Sequence, residues 1–404
     1  MSRLAGVELA SVLDSRGRAT VEATVVLSSG ARGVAGAPSG ASTGRHEVRA
    51  FPADGVPGAI RVFRATVRPK LLGVEGDVAA VDRALRELDP SADLGTIGGN
   101  PATALSLATA LAQADERHVP LWRLLARPGV DGTQFPAIVG NCLNGGRHAI
   151  GGPDIQEFLA IARAPTPERS IAAAVRVHDL VGEALRRRFP GTALGRGDEG
   201  GWVAGVSNVE ALEILRDACD RARDELHEDV RPGLDLAASE FFRDGRYRYR
   251  EQSLDTPGQV RFVAELVDRF GLAYVEDPFE EEAFDPFAEL TAAVGSRVTV
   301  VGDDLYVSDA RRLGRGIAAR SSNAVLVKVN QVGTLTATFA TVDLARASGL
   351  ATVTSHRSGD LPEGWLAHVA LASGAWGLKC GVLGGERVAK LNELLRLGRA
   401  AFAV

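Results

Sequence analysis

Six polar residues stand at or near the ends of short apolar runs: Asp235 in VRPGLDL, Glu276 in LAYVED, Asp303 in VTVVGDD, Lys328 in AVLVKV, His356 in ATVTSH and Lys379 in WGLKCG. If these runs are parallel strands of one barrel, their carboxyl ends open on a single face, where active sites are built. A single acid at a strand end is usually a turn former or a helix cap. Three on successive strands are harder to dismiss: Asp235, Glu276 and Asp303 would converge as hard oxygen ligands. With no Cys or His among them the expected ion is Mg²⁺, which keeps other octahedral positions for water or substrate oxygens.

Lysine is rare in this chain. Of 46 basic residues only Lys70, Lys328, Lys379 and Lys390 are lysines; the other 42 are arginines. The surviving lysines mark places where arginine cannot substitute, and a proton-accepting base is the clearest such place, because a guanidinium does not deprotonate in a protein. Lys328 lies inside VLVKVN, where a charge is costly unless it meets counter-charges or loses its proton. It is the candidate general base for abstracting a proton beside a carboxylate, with the metal lowering its proton affinity and stabilising the enolate.

A second acidic group precedes these strands: Glu157 in DIQEF and Glu199 in GDEGG. The glycines around Glu199 permit close approach to a ligand, although such strings are usually plain turns. Beside a metal triad, Glu199 can supply the proton that expels hydroxide. Lys328, Glu199, Glu157 and His356 form the candidate catalytic set. The loop GAPSGASTG contains a formal G-x-S-x-G match centred on Ser42. Pro38 and Ser39 interrupt any strand leading into it, which argues against a serine nucleophile and for a mobile lid carrying Ser39 over the substrate.

These residues need a scaffold of alternating strands and helices. At 404 residues, 45% hydrophobic and 24% charged, the chain has the composition of an ordinary globular protein with room for more than one domain. Residues 20–36 alternate around a Ser-Ser-Gly turn and read as a hairpin, and Pro101 to Ala126 reads as a buried helix. From about Phe135 the pattern becomes repeated βα units, giving a closed αβ barrel over 134–404 behind an N-terminal α+β unit over 1–133. Ser207 with Glu210, and Thr256 with Gln259, read as capping boxes. A net charge of −5 without basic stripes argues against nucleic acid and membrane surfaces. Neither a targeting segment nor a membrane-spanning apolar run is present, so the cytoplasm is the default location. Three scattered cysteines suggest neither a disulfide framework nor zinc.

Taken together, LDSRG (13–17), SGASTG (39–44), NGGRHA (144–149), IQEF (155–158), GDEGG (197–201), VEDPF (275–279), GDDL (302–305), LVKVNQVG (326–333) and SHRSG (355–359) resemble the enolase family in order and spacing. The resemblance runs from about residue 10 to about 396. It implies an N-terminal α+β domain, a modified αβ barrel, two Mg²⁺ ions, a homodimer or larger homo-oligomer, and the glycolytic, reversible dehydration of 2-phosphoglycerate to phosphoenolpyruvate. Lys328 then matches the base and Glu199 the acid, and Asp235, Glu276 and Asp303 the holders of the first ion. Ser39 matches the lid serine at the second ion. His148, Gln156, Glu157, Arg357, Ser358 and Lys379 match substrate-site residues.

The chain also departs from the family pattern. Trp202-Val203-Ala204 replaces Phe-Ala-Pro after GDEGG, and Asp360-Leu361-Pro362 follows SHRSG in place of Glu-Thr. His368 stands where aspartate is customary, the segment at Gly384-Gly385-Glu386-Arg387 is one residue short, the usual Leu-Arg-Asp segment is missing past SGASTG, and the C-terminal tail is short. Two further readings accommodate these changes: a paralogue of phosphonate natural-product biosynthesis, resembling a carboxyphosphonoenolpyruvate synthase and acting on a phosphonylated acid, or a non-catalytic enolase-like binding protein.

Overall fold

The computed structural model describes residues 2–41 and 43–402; Ser42, the centre of the G-x-S-x-G string, lies outside the described residues. The chain opens with an antiparallel meander of β1 (Leu4–Leu13), β2 (Ala19–Leu27) and β3 (Arg32–Gly36). The expected hairpin is β2 and β3, and the alternation in β2 buries Val21, Ala23, Val25 and Leu27. Strand β1 adds to that expectation; only Leu4, Val7 and Leu9 of it are buried, so its period is faint. Helices α1 (Val78–Leu88) and α2 (Gly99–Glu116) follow, with α2 packed on β2 and β3. Contact with β3 is close: a Cβ on Gly33 would lie 2.0 Å from the carbonyl oxygen of Ala108. The single helix expected over 101–126 is two. The chain turns at His118 (φ 51°), and Pro120 then caps a short α3 (Leu121–Leu125).

The barrel has eight strands: β4 (Ala137–Asn144), β5 (Glu157–Arg163), β6 (Asp229–Asp235), β7 (Tyr274–Glu276), β8 (Thr299–Gly302), β9 (Ala324–Val327), β10 (Ala351–Ser355) and β11 (Gly377–Gly381). Each pairs with the next, and β11 pairs with β4 to close the ring. Seven strands are parallel; β5 runs antiparallel to both neighbours. Helices α4 (Pro167–Arg188) and α5 (Asn208–Leu226) follow β5 together, and α-helices separate the later strands, one in each connection except that between β9 and β10, which holds Val329–Val332 and Leu335–Ala347. The interior is filled by Val139, Leu159, Ile161, Tyr274, Val301, Leu326 and Val353, so the barrel is a packed core and not a pore. Three of the strands are short, the mark of runs that only need to deliver one residue to the rim.

Ser207 and Glu210 form the expected capping box at the start of α5. The second cap is displaced by one residue. Asp255, not Thr256, caps α6 (Thr256–Phe270), and Gln259 turns inward, donating to the Pro278 carbonyl and the Tyr249 hydroxyl. The Asp255 carboxylate accepts the Gly258 N–H at 2.9 Å, satisfying one of the free donors of the first turn.

The N-terminal elements dock on the rim of the barrel through buried polar contacts. Asp82 of α1 accepts from the Thr336 N–H at 2.9 Å at the start of the helix Leu335–Ala347, and the Ser106 hydroxyl takes the Leu335 N–H at 3.0 Å. Ser39 and Gly359 exchange backbone hydrogen bonds of 2.7 and 2.9 Å. That bridge brings the Gly/Ser-rich loop against the loop leaving β10. Among the described residues no helix is long and apolar enough to cross a membrane.

Candidate active site

The direction of β5 decides what reaches the catalytic face. Seven strands deliver residues from their carboxyl ends, whereas β5 delivers its first residue. Glu157 therefore pairs with Asp235, the last residue of β6, and with Asn144, the last of β4. Gln156, one residue earlier, donates to Asp235 Oδ2 at 3.3 Å.

On one side two lysines meet the three carboxylates of the expected metal triad. Lys379 Nζ lies 2.8 Å from Asp235 Oδ2, 2.7 Å from Glu276 Oε1 and 3.2 Å from Glu157 Oε2. Lys328 Nζ donates to Asp303 Oδ2, and Gln331 Nε2 reaches the other oxygen of Asp303 at 2.9 Å. Tyr274 donates to Glu276 Oε2 at 2.5 Å. Burial, then the nearby Asp235 charge, drives the Glu276 carboxyl well above its ordinary range. Burial pushes Asp303 the same way, but Lys328 outweighs it and holds that carboxyl low. For Lys328 burial favours the neutral amine, yet Asp303 prevails and raises its proton affinity. Lys328 acts as counter-charge to Asp303, a role a bound cation would take from it.

On the other side Glu199 and Glu157 form a buried acidic pair flanked by histidines. His356 Nε2 lies 3.0 Å from Glu199 Oε2, and Asn141 donates to the same oxygen at 3.3 Å. His148 Nδ1 is 3.1 Å from Glu157 Oε1 and 3.9 Å from Glu199 Oε1; its Nε2 meets the Ser358 hydroxyl at 3.3 Å. Burial and the neighbouring Glu199 push Glu157 up to about 7. Glu199 is held well below the usual range, because His356 and His148 overcome its own burial. Burial works against a charge on His148, but Glu199 and Glu157 lift it to about 9. Of the two acids, Glu157 has the higher proton affinity.

The loop carrying Glu199 depends on its glycines. Gly200 has φ +83°, and a Cβ there would fall 2.2 Å from the Leu383 carbonyl oxygen. A Cβ on Gly201 would sit 2.6 Å from Asn144 Oδ1. Only glycine allows this loop to press against the barrel rim.

A cavity of about 20 Å³ joins the two sides, lined by His148, Gln156, Glu157, Glu199, Asp235, Asp303, Lys328, Ser355, His356, Arg357, Ser358 and Lys379. Eleven of the thirteen residues singled out in the sequence line it. Glu276 lies beneath, fully buried and reached through Lys379. Ser39 lies outside the lining, its hydroxyl accepting from Asn100 Nδ2 at 3.0 Å. Among the described residues, ligand atoms approach within 4.8 Å of one another in the sets His148, Glu157, Glu199 and Asp277, Asp303, Asp304; the triad Asp235, Glu276, Asp303 is not one of them. Lysine amines stand between its members. The donors still fit a hard divalent cation: they are carboxylate oxygens in a nearly water-free place, and the buried Oε1 of Gln156 beside Asp235 has no hydrogen-bond partner.

Residues 133–401 match the family model described as "Enolase, C-terminal TIM barrel domain", and residues 4–125 match "Enolase, N-terminal domain". Similarity to curated proteins extends over nearly the whole chain. A protein named Enolase from Methanothermobacter thermautotrophicus is 44% identical over 398 residues, 97% of this chain and 95% of its own. Another from Halorubrum lacusprofundi is 43% identical over 401 residues, covering 98% and 99%. A third, from Methanosphaera stadtmanae, is 42% identical over 398 residues, covering 97% and 95%. The chain belongs to the enolase family.

The altered segments at Trp202, Asp360, His368 and Gly384 fall outside the cavity lining. Trp202 stacks on His178 with ring centroids 5.3 Å apart and lies between Arg186 and Arg196. His368 accepts from the Trp122 N–H at 3.2 Å and pairs with Glu393. Asp360 is buried between Arg387 (3.2 Å) and Lys390 (3.0 Å). Reading the enolase motifs passed over several residues of the second layer: Gln331 on Asp303, Asn141 on Glu199, and Glu47, which pairs with Arg357 at 2.9 Å. Gln331 stands inside LVKVNQVG, so a signal was there; Asn141 has neutral neighbours, and Glu47, between Arg45 and Arg49, looks like one more charge on a solvated surface. Arg387 was visible only as part of a shortened segment.

Proposed function

We propose that this chain is an enolase acting on 2-phosphoglycerate, removing water reversibly to give phosphoenolpyruvate. What supports this most is that the acid and base candidates share one cavity while the altered segments at Trp202, Asp360, His368 and Gly384 lie outside its lining. Lys328 takes the proton from carbon 2; it stands on the metal-ligand side, opposite Glu199. Glu199, given the proton it shares with Glu157, protonates the departing 3-hydroxyl. His148 and His356 set the charge and hydrogen bonding of that acidic pair. Arg357, with its planar set of donors, binds an anionic oxygen of the substrate, and Ser358, Gln156 and Lys379 complete the walls. Asp235, Glu276 and Asp303 would hold one Mg²⁺, and the Ser39 loop would contribute to a second. When bound, Mg²⁺ supplies positive charge at the substrate carboxylate, where negative charge grows as the proton leaves.

In this reading residues 1–133 cap the barrel of 134–404, and the protein works in the cytoplasm as a homodimer or a larger homo-oligomer. The paralogue and the binding-only readings have no observation in their favour: the similar proteins are named Enolase, and no candidate catalytic residue is missing. The deciding measurement is the Mg²⁺-dependent rise of phosphoenolpyruvate absorbance from 2-phosphoglycerate. Turnover is expected in the native chain and not in Lys328→Ala. A higher kcat/KM for a phosphonate analogue would instead favour the paralogue, and metal binding without any turnover would leave only a binding protein.

A further inference from the structure

Arg387 lies behind the acidic pair with a side chain that is 0% exposed. Its guanidinium reaches three consecutive residues of the loop after β10: His356 Nδ1 at 2.7 Å, the Arg357 carbonyl at 2.6 Å and the Ser358 carbonyl at 2.6 Å. It also donates to the carbonyl of Asp198 at 3.0 Å, the residue before Glu199, and to Asp360 Oδ2 at 3.2 Å. One cation thereby ties the loop carrying the acid to the loop carrying its histidine.

A guanidinium has only donors, so at its contact with Arg387 the Nδ1 of His356 must accept. The histidine's one proton is then on Nε2, which faces Glu199 Oε2 at 3.0 Å. Asn141 Nδ2 also donates to Oε2, at 3.3 Å. Oε2 is therefore committed as an acceptor, and a proton arriving on Glu199 has only Oε1 to occupy. That oxygen is the one 3.9 Å from His148 Nδ1. Burial and the Arg387 charge act together against a second proton on His356, while Glu199 favours one; the net direction is down, to about 4.

We propose that Arg387 is a positioning residue that sets the polarity of the chain Arg387, His356, Glu199 and so places the acid's transferable proton on Oε1. The inference rests on the enolase reading for its catalytic consequence, but its structural core does not. It also gives a role to the shortened segment at Gly384–Arg387, where Asp360 is the carboxylate shared by the Arg387 and Lys390 cations.

The test begins with the native holoenzyme and ¹⁵N-labelled histidine, the His356 signals being assigned by difference from His356→Asn. Nuclear magnetic resonance is expected to show Nδ1 unprotonated and Nε2 protonated. A proton on Nδ1, or a doubly protonated ring at neutral pH, overturns the proposal without touching the enolase reading, which stands or falls on turnover of 2-phosphoglycerate by the same sample. In Arg387→Ala, kcat is expected to fall about 100-fold, the scale of one proton-transfer interaction, with KM changing less than about threefold. Guanidinium ion added to that variant should restore part of kcat and the Nε2–H form together. Should Arg387→Ala not fold, Arg387→Lys keeps a cation beside Asp360 and is expected to lose the single-tautomer signal along with kcat. Full kcat in either folded variant, or an unchanged tautomer, would refute the role.

Discussion

Lys328 and Asp303 leave neighbouring barrel strands and close an ion pair across the catalytic face, so the proposed base and a proposed metal ligand neutralise each other. Each is also held from behind: the Lys328 N–H donates to Ser308 Oγ at 2.9 Å, and Ser308 is in turn bonded to Gln331, which reaches Asp303. Removing the lysine frees the carboxylate for a cation. In Lys328→Ala turnover should be lost by at least about 100-fold, while Mg²⁺ titrated calorimetrically binds no more weakly than to the native chain. Weaker Mg²⁺ binding in a folded variant would mean that the lysine supports the ion and does not compete with it.

Lys379 carries a heavier electrostatic load, since its amine alone touches Asp235, Glu276 and Glu157. Leaving three buried carboxylates without their cation should destabilise Lys379→Met by about 3–5 kcal/mol in Mg²⁺-free buffer. Added Mg²⁺ should recover much of that loss, because a ligand bound only to the folded state stabilises it by mass action. Urea unfolding with and without Mg²⁺ measures both. An equal loss in the two buffers would place the metal elsewhere than at Asp235 and Glu276.

Glu363 offers a pH prediction away from the catalytic face. Both its oxygens accept from the Gly36 N–H, at 2.9 and 3.2 Å, and burial lifts its carboxyl from 4.5 to about 7. The folded state therefore holds a proton that the unfolded chain releases, and this group's contribution to stability falls as pH rises from about 4.5 to about 7. Glu363→Gln should remove that falling limb, so thermal midpoints of variant and native chain converge near pH 4.5 and separate in the variant's favour above pH 7. A native midpoint that rises relative to the variant over the same window would show that the carboxylate, not the acid, is the stabilising form.

Much of this site could be read from the sequence because apolar runs of four to seven residues end in chemically distinctive groups. Asp235, Glu276, Asp303, Lys328 and His356 all occupy strand termini at or within one residue of the expected ends. What could not be read has physical reasons. Strand β5 is apolar on both faces, so its period says nothing of its direction, and it is the direction that carries Glu157 to the rim. Lys328 protonation depends on its pairing with Asp303, 25 positions away in the chain, which no local pattern encodes. Ser39 depended on the pose of a loop whose anchor, Gly359, lies 320 positions away in the chain.

Trp202 tests whether the departures from the family matter for chemistry. The indole fills the space beside Gly182, whose added Cβ would meet it at 2.7 Å, and its N–H donates to the His178 carbonyl at 2.9 Å. It thus supports the back of the loop that bears Glu199 without lining the cavity. Trp202→Phe loses that hydrogen bond and part of the stacking on His178, and should cost about 1–3 kcal/mol of stability. Its kcat/KM for 2-phosphoglycerate, measured below the thermal midpoint, should stay within about threefold of the native value, because the Glu199 loop is also held by Arg387 at Asp198 and by the Gly197–Gly201 backbone bond of 2.9 Å. A loss of kcat far beyond that, in a variant whose unfolding transition remains cooperative, would mean that the altered segment sets the position of the acid and that the family's usual phenylalanine and this tryptophan are not interchangeable.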